Sequence, residues 1–207
     1  MADIGVISEI LYTTQKKCSI YINEQFVFAL YKGELSRYNL KEGSLLSEEV
    51  YREIAVLLLK RAKSRSLHLL NARPYTQKQL SDKLQTNGYP KEVIEQTMEY
   101  VKSFGYINDN AYVEQYINNH SAKKSMREMK EKLLQKGIKR DVLEAYMETF
   151  TEEQDDTYAI KALLKKKRYS PVDATVEETR RIYAYLARKG FRYDDIHKVL
   201  QVSDWNT

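Results

Sequence analysis

The amino-acid sequence predicts a mainly α-helical protein, a tandem array of three three-helix repeats preceded by a small N-terminal β-sheet or hairpin region. Three observations predict it. One apolar phrase built around a glycine occurs three times at fixed internal spacing, a capping box precedes each copy, and the first 45 residues alternate in the manner of strands.

Residues 1–46 form the β-rich extension. Cys18, Ile20 and Ile22 alternate with Ser19, Tyr21 and Asn23, and after Asn23-Glu24 the run 26–31 is rich in aromatic and β-branched residues, so the two stretches read as a hairpin. Residues 4–12 supply a third strand. A three-stranded sheet needs a helix over one face, and either residues 34–38 or the helix starting near Ser47 can provide it. Lys41-Glu42-Gly43-Ser44 is the turn between them.

The repeated phrase reads Leu80-x3-Leu84-x3-Gly88-Tyr89-x4-Ile94-x3-Met98, then Met129-x3-Leu133-x3-Gly137-Ile138-x4-Leu143-x3-Met147, then Ile182-x3-Leu186-x3-Gly190-Phe191-x4-Ile196-x3-Leu200. Apolar residues four apart stack on one helix face, and each glycine supplies the left-handed conformation that ends that helix. The apolar residue after the glycine folds back, and the next apolar pair opens a second helix. Capping boxes stand upstream at Thr76-x-x-Gln79, Ser125-x-x-Glu128 and Thr175-x-x-Glu178. The third lies 15 residues before its glycine against 12 for the others, so its helix is about one turn longer or its cap is displaced. A further helical stretch precedes each box, at 47 to about 72, 110 to about 122 and 156 to about 168. Polar, turn-forming residues near 108–110 and 151–156 divide the chain into repeats at 47–109, 110–155 and 156–207.

Composition narrows the function classes. A hydrophobic content of 43% is sufficient for a packed core, and no apolar run approaches the length of a membrane span. Residues 2–15 lack the basic start and apolar centre of a signal peptide. The single Cys18 has no Cys or His companions at metal spacing and reads as a small buried hydrophobe in a reducing cytoplasm.

The junction between the first two repeats carries a resemblance. Gly105-Tyr106-Ile107-Asn108-Asp109-x2-Tyr112, then Tyr116-Ile117 and Leu133-x2-Lys136-Gly137-Ile138, resembles the signature of the RecX family, regulators of the bacterial RecA recombinase. Thr76-x3-Leu80-x3-Leu84-x3-Gly88 is similar to the family's first repeat, and the N-terminal strands look like the extension of its longer members. The resemblance is strong from about residue 55 onward and looser before it. Many members carry a glycine at or near Ser125, so a different cap is expected on that helix here. The resemblance implies a non-enzymatic modulator, most often an inhibitor, that lies in the groove of the recombinase filament on single-stranded DNA and restrains ATP hydrolysis and strand exchange.

Charge gives an independent argument. The net charge of +5 divides into −2 over residues 1–56, +4 over 57–110, −2 over 111–156 and +5 over 157–207. Two basic repeats thus flank a slightly acidic one, an alternation suited to a partner that presents both phosphate and protein. The candidate contact residues are Lys60, Arg61, Lys63 and Arg65; Lys123, Lys124 and Arg127; Lys165, Lys166, Lys167 and Arg168; and Arg180, Arg181, Arg188, Lys189 and Arg192. The competing account of any one cluster is a solvated helix face. Tyr169, Tyr183, Tyr185 and Tyr193 adjoin the C-terminal clusters, where aromatic rings can stack on unpaired bases.

Catalysis finds little support. His68, His120 and His197 are scattered, and no Walker loop or dinucleotide fingerprint is present, so no nucleotide, cofactor or metal is expected. Glu152-Glu153 with Asp155-Asp156, and Asp194-Asp195, lack calcium-loop spacing and suit helix starts instead. The alternative to a filament regulator is a stand-alone DNA-binding protein with helix-turn-helix-like repeats. Against it, the second helices open on Lys91-Glu92, Lys139-Arg140-Asp141 and Tyr193-Asp194-Asp195, mixed or acidic where a recognition helix needs Arg, Asn or Gln. Weak, sequence-independent affinity for single-stranded DNA and a monomeric state are expected.

Overall fold

In the computed structural model the described residues are 3–148, 156–171 and 173–200. The boundary near 151–156 and the carboxylates Glu152, Glu153 and Asp155 fall outside them, apart from Asp156. The chain forms two compact units, residues 1–108 and 109–207.

The first unit opens with strands β1 (Asp3–Tyr12), β2 (Lys17–Ile22) and β3 (Gln25–Tyr31), followed by helix α1 (Lys32–Arg37) and strand β4 (Leu45–Ser47). The sheet is antiparallel in the order β3-β2-β1-β4, with Ile20 opposite Phe28 and Ile10 opposite Ile20. Asn23 and Glu24 both take positive φ, the conformation of a tight hairpin turn matched to strand twist. The sheet has four strands rather than three. Three residues are too few to show alternation, and β4 exists because Val6 and Gly5 of the long β1 offer Leu45 and Leu46 a partner.

Helix α2 (Glu48–Ala72) covers the sheet and leads to α3 (Gln77–Thr86) and α4 (Lys91–Ser103). Ile7, Cys18, Ile20, Phe28 and Leu30 of the sheet share one core with Leu35, Ile54, Leu58, Leu80, Leu84 and Ile94. Both helices proposed to cover the sheet therefore contribute. The turn after α3 sits against strand β3, where the Ala29 amide donates to the Gly88 carbonyl at 2.9 Å.

The second unit holds α5 (Asp109–His120), α6 (Met126–Gln135), α7 (Arg140–Glu148), α8 (Thr157–Lys167), α9 (Val176–Arg188) and α10 (Tyr193–Leu200). Its apolar residues form two separate cores. Val113, Ile117, Met129, Leu133, Ile138 and Leu143 make one, and Ala159, Ile160, Leu164, Leu186, Phe191, Ile196 and Leu200 make the other.

The repeat grammar is visible atom by atom. Gly88, Gly137 and Gly190 have φ of 85°, 83° and 85°. The next residue's amide returns to the carbonyl of the buried leucine: Tyr89 to Leu84 at 3.3 Å, Ile138 to Leu133 at 3.1 Å and Phe191 to Leu186 at 3.3 Å. That is the double-bonded helix stop in which only glycine takes the left-handed position without strain. Leu84, Leu133 and Leu186 are all fully buried. Helix α9 spans 13 residues where α3 and α6 span 10, so the displaced third box reflects one added turn.

The capping boxes at Thr76 and Thr175 are complete, but the one at Ser125 is half made. Ser125 Oγ accepts from the Glu128 amide at 3.1 Å and donates to the Lys189 carbonyl at 2.6 Å. The Glu128 carboxylate, rather than returning to the cap, faces Lys189 at 3.7 Å and Lys124 at 4.0 Å. Nearby, the Met126 amide donates to Asp156 at 3.4 Å. Repeats two and three thus meet through a polar seam.

Candidate functional site

Each repeat holds its own basic cluster, and in each a lysine is tied to tyrosine. In the first, Lys63 Nζ lies 4.6 Å from the centre of the Tyr100 ring. In the second, Lys124 and Lys136 stand 5.6 and 5.8 Å from the Tyr116 ring, and Lys124 donates to the Tyr116 hydroxyl at 3.2 Å. In the third, Lys167 is 4.2 Å from the Tyr185 ring. An ammonium over an aromatic face is held by the ring quadrupole, which limits the wandering of a long side chain.

The second cluster rests on an aromatic ladder. Tyr112, Tyr116 and His120 recur every fourth residue of α5 and so share a face, with ring centres 6.4 and 4.1 Å apart and planes within 20° of parallel. The four-residue spacing, carried on by Lys124, was the available signal in the sequence.

The cations differ in their exposure. Lys60, Lys123, Lys165, Lys166, Lys167, Arg168, Arg180, Arg181 and Arg188 are exposed. Arg61 is committed to the fold: it is ion-paired with Glu34 and lies 4.5 Å from the Tyr31 ring. Burial pushes the Glu34 carboxyl up, but the hydrogen bonds from Arg61 and from the Tyr31 amide outweigh it and hold the group below the usual carboxylate range. Lys63 and Arg65 are half-buried beside it. Lys17 donates to the Asn87 carbonyl, and burial, with the nearby Arg61 charge, lowers its pKa. Arg127 pairs with Glu131 at 3.3 Å and Arg192 with Asp194 at 3.9 Å.

Within the second unit, Arg127, Glu128, Glu131, Tyr185, Arg188 and Lys189 line an open groove of about 570 Å³. It brings Arg127 together with Arg188 and Lys189, which the sequence alone did not associate.

His68 is exposed, His120 completes the α5 ladder, and His197 lies against Tyr193 at 4.1 Å and edge-on to Tyr183 at 6.1 Å. Cys18 is buried, with its thiol against the Leu30 carbonyl at 3.4 Å. Among the described residues no group of three or more His, Cys, Asp or Glu could hold a metal ion, and no helix is long and apolar enough to cross a membrane.

Comparison with known proteins gives a consistent answer. A family model described as "RecX, first three-helix domain" matches residues 62–100, and one described as "RecX, third three-helix domain" matches residues 152–200. "Regulatory protein RecX" of Clostridioides difficile (strain 630) is 29% identical over 208 residues, covering 95% of each chain. The protein of the same name from Bacillus velezensis is 28% identical over 93% of this chain and 76% of its own. Among solved structures, "Crystal structure of RecX from Lactobacillus salivarius" is 25% identical with a TM-score of 0.59, over 70% of this chain and 96% of that one. A second, "Crystal structure of regulatory protein RecX", is 20% identical, covers 96% of this chain and 99% of that one with a TM-score of 0.57, and shows the shared fold. The glycine-turn repeats, the N-terminal sheet and these relatives agree, and the chain is similar over most of its length to the RecX family of regulatory proteins.

Proposed function

We propose that this protein is a non-enzymatic modulator of a bacterial RecA recombinase, acting in the cytoplasm as a monomeric inhibitor. It lies in the groove of the recombinase filament on single-stranded DNA and restrains ATP hydrolysis and strand exchange. One observation carries the reading: each repeat pins a lysine of its basic cluster over a tyrosine, at Lys63, Lys124 and Lys167. A cationic cluster in every repeat, with a net −2 over residues 111–156 between net +4 and +5 along the chain, suits a polymer that offers phosphate and protein in turn.

The functional units are the extension 1–46 and the repeats 47–109, 110–155 and 156–207. Anion contact falls to the exposed members of the clusters, foremost Lys165, Lys166, Lys167 and Arg168, whereas Arg61 serves the fold. Direct contact with DNA is weak and independent of sequence, since a reading helix needs free donors at its start and Lys91 at the start of α4 is paired with Glu95 at 3.8 Å.

The test is the ATPase rate of recombinase filaments with increasing protein. A fall at stoichiometric amounts is expected, and an unchanged rate refutes the reading.

A further inference from the structure

Gly105 ends α4 with the same bonds that end the repeat helices. Its amide donates to Lys102 at 2.9 Å and the Tyr106 amide returns to Val101 at 2.9 Å, with φ of 68° at the glycine. The side chain that follows behaves differently. Tyr89, Ile138 and Phe191 turn into their cores at 8%, 3% and 5% exposure, whereas Tyr106 is 51% exposed and the preceding Phe104 61%. Val101 and Ile107 on either side are buried, so five successive residues, Lys102 to Tyr106, are held out of the core by anchored flanks.

The two exposed rings are ordered with respect to each other. Phe104 and Tyr106 lie within 17° of parallel at 5.8 Å, and Phe104 rests on Tyr100 at 5.0 Å, whose ring also carries Lys63. A Cβ at Gly105 would meet nothing within 4 Å, so the backbone between the rings is open to close approach. Lys102 is exposed within the same turn, in the stretch 57–110 of net charge +4. Near-parallel exposed rings beside ammonium groups match the two parts of a single strand, flat bases and charged phosphates.

We propose that Phe104 and Tyr106 form a stacking platform for unpaired bases of single-stranded nucleic acid, with Lys63 and Lys102 facing the backbone. This rests on the DNA-contact part of the reading above and adds to it an aromatic site beside the first basic cluster.

The experiment measures binding of the full chain to an oligothymidylate and to an abasic deoxyribose-phosphate strand of equal length, across a salt series. The unaltered protein binds the base-bearing strand more tightly. F104A/Y106A loses about tenfold on that strand while its affinity for the abasic strand and its salt slope stay unchanged. F104L/Y106L, which keeps apolar bulk without a flat face, shows the same loss, and F104W/Y106W retains binding; circular dichroism reports folding for each. Equal affinity of the unaltered protein for the two strands overturns the proposal, as does an equal loss on both by F104A/Y106A. Retained oligothymidylate affinity with lost binding to the recombinase filament also overturns it and makes the rings a protein contact. The two readings fail separately: an unchanged filament ATPase rate with base preference intact refutes the regulator and leaves the platform standing.

Discussion

A methyl group added at residue 105, 190 or 88 meets open space, a side chain or a strand, so these glycines form a graded test of the fold. Gly105→Ala meets only backbone strain, about 1–2 kcal/mol for a left-handed L-residue. Gly190→Ala adds contacts at 3.1 Å to Ser125 Oγ and 3.2 Å to Arg127 Cδ, groups able to yield slightly. Gly88→Ala is the worst of the three, because its Cβ would stand 2.5 Å from that of Ala29 on a strand that cannot retreat. Urea midpoints should fall in that order. Titration offers a second test. Burial, reinforced by the hydrogen-bonded Glu92 carboxylate, pushes the Tyr51 phenol up to about 12. The neutral form is thus favoured in the folded state, so its contribution is complete below the unfolded value of about 10 and is lost as pH rises through 12. Tyr51→Phe should remove that part of the alkaline decline in stability. Glycine stops and capping hydroxyls were legible in the sequence because their demands are local. Ala29 beneath Gly88 was not, since nothing near either residue encodes the other.

At the scale of elements, one cap does two jobs. Thr175→Ala removes a helix start and should cost about 1 kcal/mol. Ser125→Ala removes a comparable cap and also strands the part-buried Lys189 carbonyl, so a loss of about 2 kcal/mol is expected, read by chemical denaturation. The same variant should raise amide exchange at Phe191, on the far side of the seam. The box at Ser125 was legible as a helix start. Its missing half was not, because Glu128 answers a lysine from the following repeat. Strand β4 escaped notice for a related reason: it owes its existence to β1 rather than to a pattern of its own.

At the scale of the whole molecule, the described residues form three apolar cores of unequal size. Leu84 belongs to the large one shared with the sheet, and Leu133 and Leu186 to small ones. Each leucine truncated to Ala should cost about 2–5 kcal/mol. Leu133→Ala, in the smallest core, should loosen its repeat most, with an early transition in calorimetry that leaves residues 1–108 folded. The proposed function makes a prediction about charge at this level. Neutralising Lys165, Lys166, Lys167 and Arg168 together should weaken filament binding and flatten its salt dependence, while circular dichroism stays native. Unchanged affinity and slope would reduce that run to a solvated helix face. The repeat array and the clusters were legible because both are patterns of spacing. Which cations the fold itself employs was not: Arg61 is held by Glu34, a residue from outside its own helix.

The polar seam between repeats two and three predicts a joint within the second unit. Its closure depends on a hydroxyl, a carbonyl and facing charges, groups that water can replace when they part, whereas each apolar core stays shut on its own side. Bending there consumes hydrogen bonds and exposes little apolar surface, so the compliance of this stretch resides at one point instead of being spread along its helices. Amide exchange should report it, with early exchange at Glu128 and Lys189 and late exchange at Leu133 and Leu186; uniform protection across the four would mean a rigid block. If the seam opens as predicted, the proposed filament partner could vary in subunit spacing while both repeats remain folded.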